Sequence, residues 1–262
     1  MYNKTKQTME KKNKIALITG GSRGLGKDMA LRLAEKGIDV IITYNSQLNE
    51  AENVVAEIQK NGQKAAALQL NTGDIKSLGS FVIQLLDVLQ NKFESTTFDY
   101  LVNNAGIGGY LPIADVTEEA FDELLNIHFK GVYFLTQKML PILNDGGGIV
   151  NVSSGLTRIS VPGSSVYASM KGAMEIFTRY LAKEYGSRGI RANIIAPGAV
   201  MTDFGGAHLR NDEKLQEFIS NVTALGRPGV AEDIGGVVAF LCSEEARWVN
   251  GQRIEISGGM QL

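Results

Sequence analysis

The sequence predicts a doubly wound α/β fold, a parallel sheet covered by helices on both faces, on three observations. Short apolar runs alternate with helical patterns along nearly the whole chain. The first apolar run breaks at a glycine-rich turn that leads into a helix, the opening unit of a Rossmann-type fold. No linker interrupts the alternation, so residues 15–262 read as one domain behind a basic tail, residues 1–14.

Residues 15–19 form the first strand, and Gly20, Gly21, Ser22, Arg23, Gly24, Leu25 and Gly26 follow it. A helix rich in alanine and leucine then runs to Glu35, with Gly37 placed to end it. Residues 39–44 give a second strand, and residues 48–60 a helix closed by Asn61 and Gly62. A third strand covers residues 64–70 and a third helix residues 75–92. The fourth strand, residues 99–102, runs into Asn103, Asn104, Ala105 and Gly106. One helix from about residue 118 to 140 precedes a strand at 149–152. The helix carrying Tyr167 comes next, then a strand at 191–195, a helix at 231–242 and a last strand at 252–256.

Composition narrows the function classes. Hydrophobic residues at 44% and charged residues at 21% describe an ordinary globular chain with material for a large core. A formal charge of −2 argues against a nucleic-acid partner. A single cysteine, Cys242, excludes an intrachain disulfide and fits a reducing, cytoplasmic compartment. No apolar run is long enough to span a membrane, and the lysine-rich residues 1–14 lack the hydrophobic centre of a signal peptide. They read as a solvated, disordered tail, and no metal site is expected.

The chemistry concentrates on Tyr167 and Lys171, four apart and therefore on one face of a helix. A phenol with a pKa of about 10 is a poor proton donor at neutral pH. A neighbouring ammonium favours the phenolate, so Lys171 is expected to lower the Tyr167 pKa toward the useful range. Ser154 follows the strand at 149–152, at the carboxyl end where ligands bind in open α/β sheets. A hydroxyl there can hold a carbonyl oxygen while Tyr167 protonates it.

Four stretches taken together resemble the classical short-chain dehydrogenases/reductases. They are Thr19 and Gly20 with Gly24 and Gly26; Asn103, Asn104, Ala105 and Gly106; Ser154 with Tyr167 and Lys171; and Pro197 and Gly198 with Thr202. The segments 225–229 and 257–259 also resemble the 3-oxoacyl-carrier-protein reductase branch. The resemblance implies a seven-stranded parallel sheet and a nicotinamide cofactor across the strand ends. Gly20, Ser22, Arg23, Gly24, Leu25 and Gly26 would hold its pyrophosphate side. Asn71 and Thr72 would approach the adenine, and Asn103, Ala105 and Gly106 the adenosine ribose. Pro197, Gly198, Val200 and Thr202 would receive the carboxamide, while Tyr167 and Lys171 flank the nicotinamide ribose. The resemblance also implies a homotetramer packed through the helices at Glu118 and Ser165.

NADP(H) is expected over NAD(H). The second strand ends in Tyr44, Asn45 and Ser46, with no acid to repel a 2′-phosphate, and Arg23 can offer it bidentate donors. Asn71 replaces the family's aspartate, and His128 replaces its catalytic asparagine, Asn126 being out of register. His128 reads either as a packed core histidine or as a relay that titrates between about pH 5.5 and 7.5. His208 reads as loop surface. Lys183 stands at one position used to dock an acidic carrier protein, but Asp145 lies near the other. The expected activity is reduction of a ketone or β-keto compound to a secondary alcohol, or the reverse. Alternatives are a carrier-protein-linked reductase, a non-catalytic dinucleotide sensor, and an epimerase or dehydratase sharing the Tyr–Lys pair.

Overall fold

The structure, a computed structural model, describes residues 13–262. Its seven strands are β1 (Ile15–Ile18), β2 (Asp39–Tyr44), β3 (Ala65–Gln69), β4 (Phe98–Asn103), β5 (Leu143–Val152), β6 (Arg191–Pro197) and β7 (Arg253–Ile256). They form one parallel sheet in the order β3-β2-β1-β4-β5-β6-β7. Strands β2 and β3 are added on one side of β1 and β4 to β7 on the other, so the winding order reverses between β1 and β4, the switch point at which such sheets bind ligands.

Strand β1 shows how the layers form. Its side chains alternate, Ala16 and Ile18 joining one apolar cluster and Ile15 and Leu17 the other. The first cluster is closed by α1 (Gly24–Glu35), α2 (Leu48–Lys60) and α9 (Glu232–Leu241). The second is closed by α3 (Leu78–Phe93), α5 (Gly131–Met139) and α6 (Ser165–Glu184). Between them in the chain lie α4 (Glu118–Leu125) before α5, and α7 (His208–Asn211) and α8 (Glu213–Asn221) before α9. Among the described residues no helix is long and apolar enough to cross a membrane.

The structure corrects four sequence-based expectations. The single helix over 118–140 is split by a π-helical turn, Asn126–Lys130, in which one extra residue turns the His128 side chain inward. At Gly131 any Cβ would lie 1.9 Å from the Thr72 carbonyl oxygen, so the close approach to that loop requires glycine. Strand β5 starts at Leu143 rather than residue 149, because Leu143 pairs with Phe98 ahead of a bulge. Helix α8 went unread in a polar segment, although Asp212 caps it by accepting from Leu215 N at 3.1 Å. The expected tail falls mostly on residues 1–12, outside the described residues. Its last two members are tied down: Asn13 Nδ2 donates to Asp39 at 3.3 Å, and Lys14 Nζ donates to Tyr100 Oη at 2.9 Å.

Candidate active site

Most predicted site residues lie at or just after the carboxyl ends of strands, while Tyr167 and Lys171 lie on α6 and His128 in the π-helical turn. Gly20 to Arg23 join β1 to α1, whose first turn holds Gly24, Leu25 and Gly26; Tyr44, Asn45 and Ser46 close β2; Asn71 and Thr72 follow β3. Ser154 follows β5, and Pro197, Gly198, Val200 and Thr202 lie at or after the end of β6. The glycine loop and the segment after β6 meet, a Cβ at Gly24 lying 3.7 Å from Thr202 Cβ.

A cradle for a bulky anion is built here by backbone. A Cβ at Gly26 would fall 2.1 Å from the Gly20 carbonyl oxygen and 2.6 Å from Asn104 Nδ2, so only glycine lets the first turn of α1 close on the loop. Asn104 is a functional residue that the sequence reading quoted without assigning a role. Its Nδ2 donates to Thr19 O at 2.9 Å and Gly20 O at 3.0 Å. The backbone N–H groups of Asn104 and Ala105 both donate to Thr19 Oγ1 at 3.0 Å. Thr19 and Asn104 thus clamp the glycine loop to the end of β4. Asn103 departs from expectation. Its side chain turns into the core and donates to Asn151 Oδ1 at 2.8 Å and Thr136 Oγ1 at 3.1 Å. Only its backbone is available to a ribose.

The Arg23 guanidinium is exposed at the N-terminus of α1 and makes no hydrogen bond or ion pair among the described residues. No carboxylate stands at the end of β2, where Tyr44 is half-buried and Asn45 and Ser46 are exposed. Asn71 accepts from Gly73 N at 3.0 Å and shapes its own turn. These groups fit a dinucleotide bearing an additional phosphate.

Ser154, Tyr167 and Lys171, the residues expected to react, lie close together in the structure. The extended backbone of Ser154 caps the turn Gly155–Thr157, its Oγ accepting from Leu156 N at 3.2 Å. Tyr167 and Lys171 lie on the buried face of α6. Lys171 Nζ donates to Val152 O at 2.8 Å and sits 5.5 Å from the Tyr167 ring centroid. Their titration differs from the sequence expectation. Burial pushes the Tyr167 phenol up to about 12, and a hydrogen bond with Ser154 offsets this only in part. Burial lowers Lys171 to about 8. Removal of water dominates both groups, so the phenol is raised rather than lowered as the neighbouring ammonium led one to expect.

His128 is fully enclosed, its ring edge-on to Tyr167 at a centroid distance of 5.0 Å. Nε2 lies 2.8 Å from Ile107 O and 3.3 Å from Ile107 N. The shorter contact favours the tautomer with hydrogen on Nε2, leaving Nδ1 as a buried acceptor without a partner among the described residues. Burial first, and the Lys171 charge second, lower its pKa to about 3. The expected titration between pH 5.5 and 7.5 is therefore corrected, since His128 is neutral throughout that range. His208 is exposed at the start of α7. Cys242 is buried with its thiol raised to about 12, which removes it as a nucleophile.

Comparison with known proteins gives matches across the whole domain. Residues 20–261 match the family model described as enoyl-(acyl carrier protein) reductase. A hydroxynaphthalene reductase-like protein, Arp2, of Metarhizium brunneum is 36% identical over 257 residues, covering 94% of this chain and 94% of that protein. The promiscuous reductase LugOII, which catalyses keto-reduction at C1 during lugdunomycin biosynthesis, superposes with a TM-score of 0.90. It is 36% identical, with 95% of this chain and 98% of that one covered. The angucycline C-6 ketoreductase LanV, solved with bound NADP, gives a TM-score of 0.90 at 35% identity, covering 95% of each chain.

Proposed function

Since the chain belongs to the short-chain dehydrogenase/reductase family of NAD(P)-dependent oxidoreductases, we propose that it interconverts a small-molecule ketone and a secondary alcohol with NADP(H). The observation that carries this reading is the convergence of Ser154, Tyr167 and Lys171 on one point beside the glycine cradle. A sensor of dinucleotides needs the cradle alone.

The cofactor, when bound, supplies or accepts the hydride. The residues around it have separable tasks. The loop from Gly20 to Gly26, with Ser22 and Leu25, holds the pyrophosphate by backbone donors, and Arg23 meets the 2′-phosphate. Thr72, Ala105, Gly106, Pro197, Gly198, Val200 and Thr202 border the remainder. The Ser154 hydroxyl holds the carbonyl oxygen, and the Tyr167 Oη proton passes to that oxygen as the alcohol forms. Lys171, protonated below about pH 8, stabilises the phenolate that Tyr167 becomes and binds the ribose. In the alcohol-oxidising direction the same proton returns to Tyr167. His128 acts in its neutral form.

Tyr110 and Phe204 support an uncharged, ring-bearing ketone as substrate. They are 70% and 49% exposed and border Tyr167 from two different loops. LanV is an angucycline C-6 ketoreductase, LugOII catalyses keto-reduction at C1 during lugdunomycin biosynthesis, and Arp2 is named as hydroxynaphthalene reductase-like. A carrier-protein substrate is not favoured, because the exposed Asp145 stands near a position expected to dock an acidic carrier and pairs with Arg188 at 2.7 Å. Assembly as a homotetramer through α4, α5 and α6, in the cytoplasm, completes the reading.

NADPH oxidation with a panel of cyclic ketones and β-keto esters tests the activity. Tyr167→Phe should lower kcat by at least about a hundredfold, a typical acid–base contribution, with NADPH affinity nearly unchanged. Retention of a tenth of the activity would make the proton donor another group.

A further inference from the structure

A polar cluster surrounds the segment that carries Ser154. Glu175 stands one helical turn beyond Lys171 on α6, on the same buried face. One of its oxygens, Oε1, accepts from Ser153 Oγ at 2.7 Å and from Arg253 Nε at 2.7 Å. Thr157 Oγ1 lies 2.7 Å from the same oxygen and 2.9 Å from the Ser154 carbonyl, with one hydrogen to share between them. Ser153 and Thr157 flank Ser154 in the chain, so a single carboxylate oxygen grips the segment on both sides of the reactive hydroxyl.

Arg253 belongs to β7, the last strand, and its guanidinium binds four groups at once. Besides Glu175 it donates to Glu255 Oε2 at 2.9 Å, Thr157 Oγ1 at 3.1 Å and Ser154 O at 3.5 Å. Glu255 continues the chain to Arg158 at 2.6 Å, and Arg158 donates to the carbonyls of Met260 at 2.7 Å and Gln261 at 2.9 Å. Burial opposes the charge on Glu175, but donors from Thr157, Ser153 and Arg253 more than offset it and hold the carboxyl below its usual range. The cluster is thus ionised, paired and rigid, which is what a supporting layer requires.

We propose that Glu175, paired with Arg253, is a positioning residue that fixes the Ser154 hydroxyl. The C-terminal strand thereby takes part in setting how the carbonyl is held. The inference rests on the role of Ser154 given above.

A double-mutant cycle tests it in the full-length protein. Glu175→Gln keeps the shape but removes the charge, and should lower kcat by roughly ten- to hundredfold, the cost of a small misplacement. NADPH affinity, followed by its fluorescence, should stay within about twofold, because none of the Glu175 partners belongs to the glycine cradle. In a Ser154→Ala background the same substitution should change kcat by less than about twofold, since nothing remains to position. Should Glu175→Gln fail to fold by circular dichroism, Arg253→Gln enters the same cycle with the carboxylate retained. A loss of the same size with and without Ser154, or an unchanged kcat in the single variant, would overturn the proposal. Ser154→Ala leaving kcat intact would instead overturn the assignment of Ser154 itself.

Discussion

Tyr167 and Lys171 face opposite demands in the same dry environment. Burial holds the phenol neutral, up to about 12, and draws the ammonium down to about 8. A neutral phenol is the proton donor that reduction needs, and the cation must be present to stabilise the phenolate left behind. Lys171 is charged below its folded pKa and loses its proton as pH rises through it. The kcat/KM for ketone reduction should therefore be level below about pH 8 and fall above it, as initial rates would show. The value of about 3 for His128 allows no further limb between pH 5.5 and 7.5. His128→Asn should change the height of the profile and leave its shape. A step near the ordinary histidine pKa that vanishes in the Asn variant would contradict the neutral assignment. His128→Ala removes a fully packed ring and strands the Ile107 carbonyl, so thermal unfolding should show a loss of about 3 kcal/mol.

At the scale of elements, the loop from Gly20 to Gly26 is held in place by β4 rather than by its own sequence. Asn104, just after the neighbouring strand, donates to the carbonyl of Gly20 and to that of Thr19 immediately before the loop. Asn104→Ala should release the loop and weaken NADPH binding roughly tenfold, about 1.4 kcal/mol, with kcat at saturating cofactor little changed. Fluorescence titration with NADPH reads this directly, and unchanged affinity would show that the loop holds itself.

How far the sequence shows these elements depends on whether their cause is local. Strand β2 and helix α2 match their sequence boundaries, because apolar periodicity and the stop at Asn61 and Gly62 are local signals. That Tyr167 and Lys171 share the buried face of α6 was legible, because a spacing of four fixes it locally. The π-helical turn at Asn126–Lys130 was not, since helical periodicity reads across it and its cause is packing against Thr72. Nor was the Glu175–Arg253 pair, two ordinary charged residues 78 positions apart in the chain that meet only when β7 joins the sheet. The Tyr167 pKa was read with the wrong sign because sequence shows the neighbouring charge and hides the burial.

At the scale of the whole molecule, sheet and helices divide the surface into unlike regions. The catalytic edge is rich in glycine and polar groups, while the outer face of α4 to α6 carries apolar side chains with nothing over them. Ile176 and Tyr180 stand one turn apart on α6 and are 48% and 62% exposed. Tyr133 on α5 stacks on Phe177 of α6 at 4.7 Å, and Phe121 of α4 adds a further exposed ring. Aromatic and aliphatic groups clustered on one helical face are the kind of surface that an interface between chains would bury. The opposite face of the same α6 holds Tyr167 and Lys171, so whatever seats this helix also seats the reactive pair. The protein should accordingly scatter light as four chains in solution. Ile176→Glu with Tyr180→Glu, both pointing outward, should yield a smaller assembly whose far-ultraviolet circular dichroism is native. Because one helix serves both faces, that assembly should also show a lower melting temperature and reduced kcat, with NADPH affinity retained at the separate cradle. A wild-type protein that scatters as a single chain, or a double variant that still scatters as four, would refute this face as the seam.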